Sequence, residues 1–103
     1  MDVTFKHLEI NKELVISTAH VRESTFAALC SGNPKYTPYI SFDRYDYGVR
    51  IYIELTEMLE PEVSGHIPLE LFKVMQLAHD KDCKWLVLDQ DGDVVPWLNT
   101  WEW

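Results

Sequence analysis

The sequence predicts an α+β fold: an antiparallel sheet with two helices on one face, in the ferredoxin-like βαββαβ order, with room for extra strands at both termini. Three observations carry this expectation. "ELVIS" is a compact β-branched run, "YISFDRY" and "GVRIYIEL" alternate apolar and polar residues in period two, and two further stretches repeat their apolar residues at helical spacing.

Taken in order, Val3 and Phe5 alternate with polar residues and suggest a short first strand. Glu13 to Thr18 follows as a buried strand. In "VRESTFAALCSGNP", Val21, Thr25, Ala28 and Leu29 fall at helical spacing, and Gly32-Asn33-Pro34 stops the helix. Arg22 stands where a small capping hydroxyl would be natural. The two period-two stretches are parted by Asp46-Tyr47-Gly48, a hairpin turn. "TEMLEPEVSGHIP" is an acidic loop broken by its Pro and Gly. Pro68 suits a first helical position, after which Leu71, Val74, Met75 and Ala78 share one face. Glu70 lies near the positive end of this helix, His79 and Lys81 near the negative end. Lys84 to Asp89 is the last strand, and Trp97 to Trp103 is a further strand or a packed hook.

The 103 residues suffice for one core, so residues 1–103 are expected to form a single domain. With 47% apolar residues the chain can bury enough surface to fold. Its apolar runs are far too short for a membrane span, and "MDVTFKHLEI" lacks the features of a signal peptide, which points to the cytoplasm. Cys30 and Cys83 read as reduced, part-buried hydrophobes, because their spacing suggests no disulfide framework.

Charge is distributed unevenly. The net value is −8; residues 1–50 balance six acids with six bases, whereas residues 51–103 hold eleven acids and three bases. Such a surface repels nucleic-acid phosphates and anionic lipid and favours basic partners. The bland alternative is that the acidity only keeps a small protein soluble.

"KWLVLDQDGDVV" has the form of a phosphatase loop with a nucleophilic aspartate. However, no Lys or Arg follows Asp89 and Asp91 to bind a phosphate, and Asp93 replaces the usual Thr. A calcium loop fails as well, because Gly92 falls two positions early and no Glu closes the loop. The segment is therefore expected to be a tight turn, with Gly92 at positive φ and the aspartates bonding local amides. His7, His20, His66 and His79 lack zinc-site spacing. His20, between a strand and a helix, is the one with scope for chemistry, through Cys30 or Ser17 or through Asp89 and Asp91. Its bland reading is a capping or surface histidine.

Trp97, Trp101 and Trp103 crowd the last seven residues. On an extended segment Trp101 and Trp103 point the same way. They either cover an open edge of the core or form a self-association surface. Tyr39, Phe42, Tyr45, Tyr47 and Tyr52 suggest an RNA-stacking sheet, but the acidic half lacks the flanking cations such a sheet needs.

"LVISTAHV" at 14–21, "YGVRIYI" at 47–53, "CKWLVLDQDGDVV" at 83–95 and the Trp-rich terminus resemble a family of small proteins carried on proteobacterial plasmids, prophages and integrative elements. The family has no agreed catalytic residues to carry over. The resemblance implies a bacterial mobile element, where small acidic proteins often act against host nucleases.

The expected function is therefore that of a small acidic binding protein without enzymatic activity, cofactor or metal. It would inhibit a host defence complex, a CRISPR effector or restriction enzyme, by occupying its basic nucleic-acid groove. The contacts expected are Glu54, Glu57, Glu60, Glu62, Asp89, Asp91 and Asp93, with no direct binding of nucleic acid or membrane. The alternatives are a homodimeric module joined through Trp97, Trp101 and Trp103, and a small hydrolase using His20 with Asp89 and Asp91.

Overall fold

A computed structural model of the chain describes residues 8–31, 40–53 and 67–103. Their elements run β1 (Lys12–Ser17), a 3-10 turn (Thr18–His20), α1 (Glu23–Cys30), β2 (Phe42–Tyr45), β3 (Gly48–Tyr52), α2 (Leu69–Asp80) and β4 (Cys83–Asp89). The expected strand at Val3–Phe5 and the acidic loop up to residue 66 lie outside the described residues.

The chain order is the βαββαβ expected, but the sheet is not the antiparallel one. The strands lie β1-β4-β3-β2, with β1 parallel to β4 and the other two pairings antiparallel. β1 and β2 thus run in the same sense with two strands between them, whereas a split βαβ unit interposes one. The ferredoxin-like arrangement is corrected accordingly to a mixed four-stranded sheet.

β4 owes its inner position to its composition. Cys83, Leu86, Val87 and Leu88 are all buried, a nearly continuous apolar run suited to a strand flanked on both sides. Register then sorts the faces. Ile16 pairs with Leu88, which pairs with Val49 on its other side, and Leu86 pairs with Ile51. These five residues are almost fully buried and join Leu29 of α1 and Leu71, Val74, Met75 and Ala78 of α2 in one core cluster. Burying a side chain of this kind contributes about 1.5–3 kcal/mol.

The alternate residues form the other face. Tyr52 meets the ring of Trp85 edge-on at 5.2 Å, the Arg50 guanidinium lies 4.4 Å from that ring's centre, and Arg50 is 3.7 Å from Glu13. Both charges are nearly half exposed, so the pair adds little, and cation–π contact is the stronger tie.

Two glycines allow close backbone approach. A Cβ on Gly48 would lie 1.8 Å from the carbonyl oxygen of Leu88, and one on Gly92 would lie 2.5 Å from the carbonyl carbon of Ile16. Gly92 does not take the expected positive φ; it lets the turn after β4 lie against β1. Pro68 caps α2 rather than occupying its first turn, and Arg22 precedes α1 without a side-chain cap.

Candidate functional site at the carboxyl ends of β1 and β4

The Asp-rich turn and His20 lie where β4 and β1 end. Because the two strands are parallel, their carboxyl ends lie side by side, and the crevice beyond such ends is where open sheets containing parallel strands hold ligands.

Of the turn's aspartates, Asp89 alone bonds a local amide through its side chain. Asp89 Oδ1 accepts from the Asp91 N–H at 2.7 Å, and the Gly92 N–H donates to the Asp89 carbonyl at 2.9 Å. Ser17 N–H donates to the Asp93 carbonyl at 2.9 Å, which closes the edge of β1. The β2–β3 turn is adjacent: Gln90 N–H donates to the Tyr47 carbonyl at 2.9 Å, and Gly48 pairs with Asp89. Across the sheet the Tyr45 hydroxyl donates to Asp89 Oδ2. This bond, with the Asp91 amide, holds the Asp89 carboxyl below the usual aspartate range. Burial, followed by the same carboxylate, pushes the Tyr45 phenol well above its ordinary value. Asp46, Asp91 and Asp93 are exposed. Glu54, Glu57, Glu60 and Glu62 lie outside the described residues.

His20 is buried rather than on the surface, at 1% exposure, and both ring nitrogens are used. Nδ1 lies 2.9 Å from the Asn99 carbonyl oxygen, and Nε2 lies 2.9 Å from the Val95 amide nitrogen. A carbonyl only accepts and an amide only donates, so the partners assign the proton to Nδ1. His20 therefore ties the C-terminal segment to the end of β1. It shares no hydrogen bond with Asp89, whose oxygens accept from Tyr45 and Asp91, or with Ser17, whose hydroxyl accepts from the Ala19 amide. Cys30 lines a different cleft, and burial raises its thiol pKa against the opposing effect of Arg44. Among the described residues no group of His, Cys, Asp and Glu is placed to hold a metal ion.

The Trp-rich end is a packed hook rather than a strand. Trp101 N–H donates to the Ala19 carbonyl, and its ring lies 5.5 Å from the Arg22 guanidinium carbon. Trp103 packs on Phe26 at 5.1 Å and donates from its indole to the Val21 carbonyl. Their side chains thus enter different clefts. One, of about 200 Å³, is lined by His20, Arg22, Glu70, Lys73, Asn99 and Trp101, with Leu69, Val74 and Leu98 as apolar walls. The other, of about 530 Å³, lies between α1, the β2–β3 turn and Trp103. Trp97 remains 68% exposed. Sequence reasoning missed the smaller cleft and the Tyr45–Asp89 bond, whose members sit on separate elements. For Arg50, Tyr52 and Trp85 the signal was present, since period-two alternation puts them on the outward face.

Fold and site together define a small α+β protein with a mixed sheet and a polar end stitched by its own C-terminal hook. Residues 13–103 match the model described as "Family of unknown function (DUF5983) C-terminal domain", and the chain belongs to that family. No curated protein matches the chain, and no solved structure does.

Proposed function

We propose that the chain is a non-enzymatic binding protein that docks onto a basic macromolecular surface through its acidic end. The supporting observation is the joining of the two turns. The Gln90–Tyr47 hydrogen bond and the Gly48–Asp89 pairing hold the turn that carries exposed Asp46 against the turn that carries exposed Asp91, and exposed Asp93 continues that turn to the edge of β1. Charges held on rigid turns need little ordering when a partner arrives, and like-signed carboxylates together steer a basic surface towards them. Glu54, Glu57, Glu60 and Glu62 extend the contact set. The Thr25–Glu70 hydrogen bond supports a further element of this reading, with α1 and α2 on the same side of the sheet and both beginning at this end.

The partner class that fits is the nucleic-acid groove of a bacterial defence complex, a CRISPR effector or restriction enzyme, with carboxylates standing where phosphates would lie. In this reading the chain is an anti-CRISPR or antirestriction inhibitor carried by a mobile element. It works in the bacterial cytoplasm, with no cofactor, no membrane partner and no nucleic acid of its own. Compatible with this location, no helix among the described residues is long and apolar enough to cross a membrane. The separate commitments of His20 and Asp89 speak against the hydrolase alternative.

The experiment is capture from nuclease-treated bacterial lysate on the immobilised chain, with elution in rising salt. A specific partner should be released by moderate salt and should not be retained by the combined variant Asp46→Lys, Asp91→Lys, Asp93→Lys. Equal retention by the triple variant would overturn the reading.

A further inference from the structure

Among the described residues, the smaller cleft carries more cations than acids. The chain carries a net charge of −8, yet this cleft is lined by two cations, Arg22 and Lys73, and one acid, Glu70. One Glu70 carboxylate oxygen already accepts the Thr25 hydroxyl. Neither Arg22 nor Lys73 takes part in a salt bridge among the described residues. Retaining two cations around a recess in so acidic a chain works against simple solubility and favours an anion inside.

We propose that this cleft binds a small organic anion: one carboxylate or phosphate group carried on a single flat apolar ring. The geometry supplies a group for each part of such a ligand. Trp101 offers an aromatic wall, held by its backbone bond to Ala19 at 2.9 Å, and the Arg22 guanidinium is poised 5.5 Å from that ring's centre. Arginine in this position can stack and still offer paired N–H donors to a carboxylate or phosphate. Lys73, exposed on the first turns of α2, adds a second charge, and Leu69, Val74 and Leu98 supply the apolar walls. Asn99 is held through its backbone carbonyl, which accepts from His20 Nδ1. Since both His20 nitrogens are engaged, the imidazole is wall rather than acid or base.

The volume of about 200 Å³ sets the size. Sites for drug-sized ligands start at about 300 Å³, so this recess suits one ring with one anionic group. This site is independent of the acidic docking surface and uses none of its residues.

Titration of the isotope-labelled full chain with phenyl phosphate, benzoate and neutral benzyl alcohol, followed by amide and indole NMR shifts, tests the proposal. Phenyl phosphate or benzoate should produce saturable one-site shifts at Arg22, Lys73, Asn99 and the Trp101 indole. Benzyl alcohol should bind at least about ten-fold more weakly. Arg22→Gln and Lys73→Gln, both exposed changes, should each weaken the anion about ten-fold, while Lys84→Gln on β4 should leave it unchanged. Shifts that do not saturate, equal binding of benzyl alcohol, or affinity indifferent to both cleft substitutions would overturn it.

Discussion

The Nε2 of His20 accepts a hydrogen bond from the amide of Val95 at 2.9 Å, across 75 residues of sequence. With Nδ1 donating to Asn99, one buried imidazole satisfies two backbone groups of a segment that has no regular secondary structure of its own. A long irregular segment can remain against a core only if its polar groups find partners there. His20, Ser17, Ala19 and Val21 all provide them, and each belongs to the end of β1 or the turn after it.

His20→Ala should therefore cost about 2–4 kcal/mol, from two lost hydrogen bonds and the buried groups left unpaired. Urea unfolding measures it, and amide exchange should quicken between Val95 and Trp103 first. A loss below about 0.5 kcal/mol would mean that the hook holds without the imidazole.

Gly92→Ala and Gly48→Ala test the close approaches. In both cases the obstructing atoms are backbone, so no side chain can swing away. Gly92→Ala should cost about 1–3 kcal/mol, and Gly48→Ala as much or more, because it strikes the β3–β4 ladder. Thermal unfolding of the two variants checks the size and the ranking.

Periods of 2.0 and 3.6 made the β2–β3 hairpin and α2 legible, and compact apolar runs did the same for β1 and β4. Neither signal could supply strand direction. Leu14 and Ile16 of β1 look the same whether β4 runs parallel or antiparallel beside them, and only tertiary pairing decides. The Asp-rich turn was legible as a turn. Gly92 was misjudged because positive φ and close approach leave the same residue in the sequence. His20 was visible as unusual, but its partners, Val95 and Asn99, are backbone atoms that carry no residue signature.

Tyr45 and Asp89 predict a pH response. The folded pKa of Asp89 is depressed, so its contribution to stability is complete above the ordinary value of 3.8 and is lost as pH falls through the lower folded value. For Tyr45 the folded pKa is raised, so its contribution is complete below pH 10.0 and is lost as pH rises through the higher folded value. In Tyr45→Phe, carboxyl-carbon NMR should show the Asp89 titration moving up, though not fully, since the Asp91 amide remains. Identical titrations in the two proteins would remove the assigned cause.

Self-association through the C-terminal segment is the second reading of the surface, favoured by Trp97 at 68% and Val94 at 56% exposure. If Trp97 is an interface anchor, sedimentation of the wild type should show dimer at micromolar protein, and Trp97→Ala should be monomeric. Its folding stability should change by less than about 0.5 kcal/mol, as for an exposed side chain. A monomeric wild type rejects the dimer and leaves the acidic end as the docking surface.

Asp82 connects α2 to β4 with φ at 59°, the only positive φ at a non-glycine residue among those described. The left-handed conformation costs an L-residue about 1–2 kcal/mol, less for aspartate. Here it ends the helix, with the Asp82 N–H donating to the His79 carbonyl at 2.9 Å. Glycine relieves the Cβ strain but loses more freedom on folding. Because the side chain is exposed and accepts no hydrogen bond among the described residues, strain relief should win. Asp82→Gly is expected to stabilise by about 0.5–1 kcal/mol in urea unfolding, while Asp82→Val, β-branched and unable to relax there, should destabilise by at least as much.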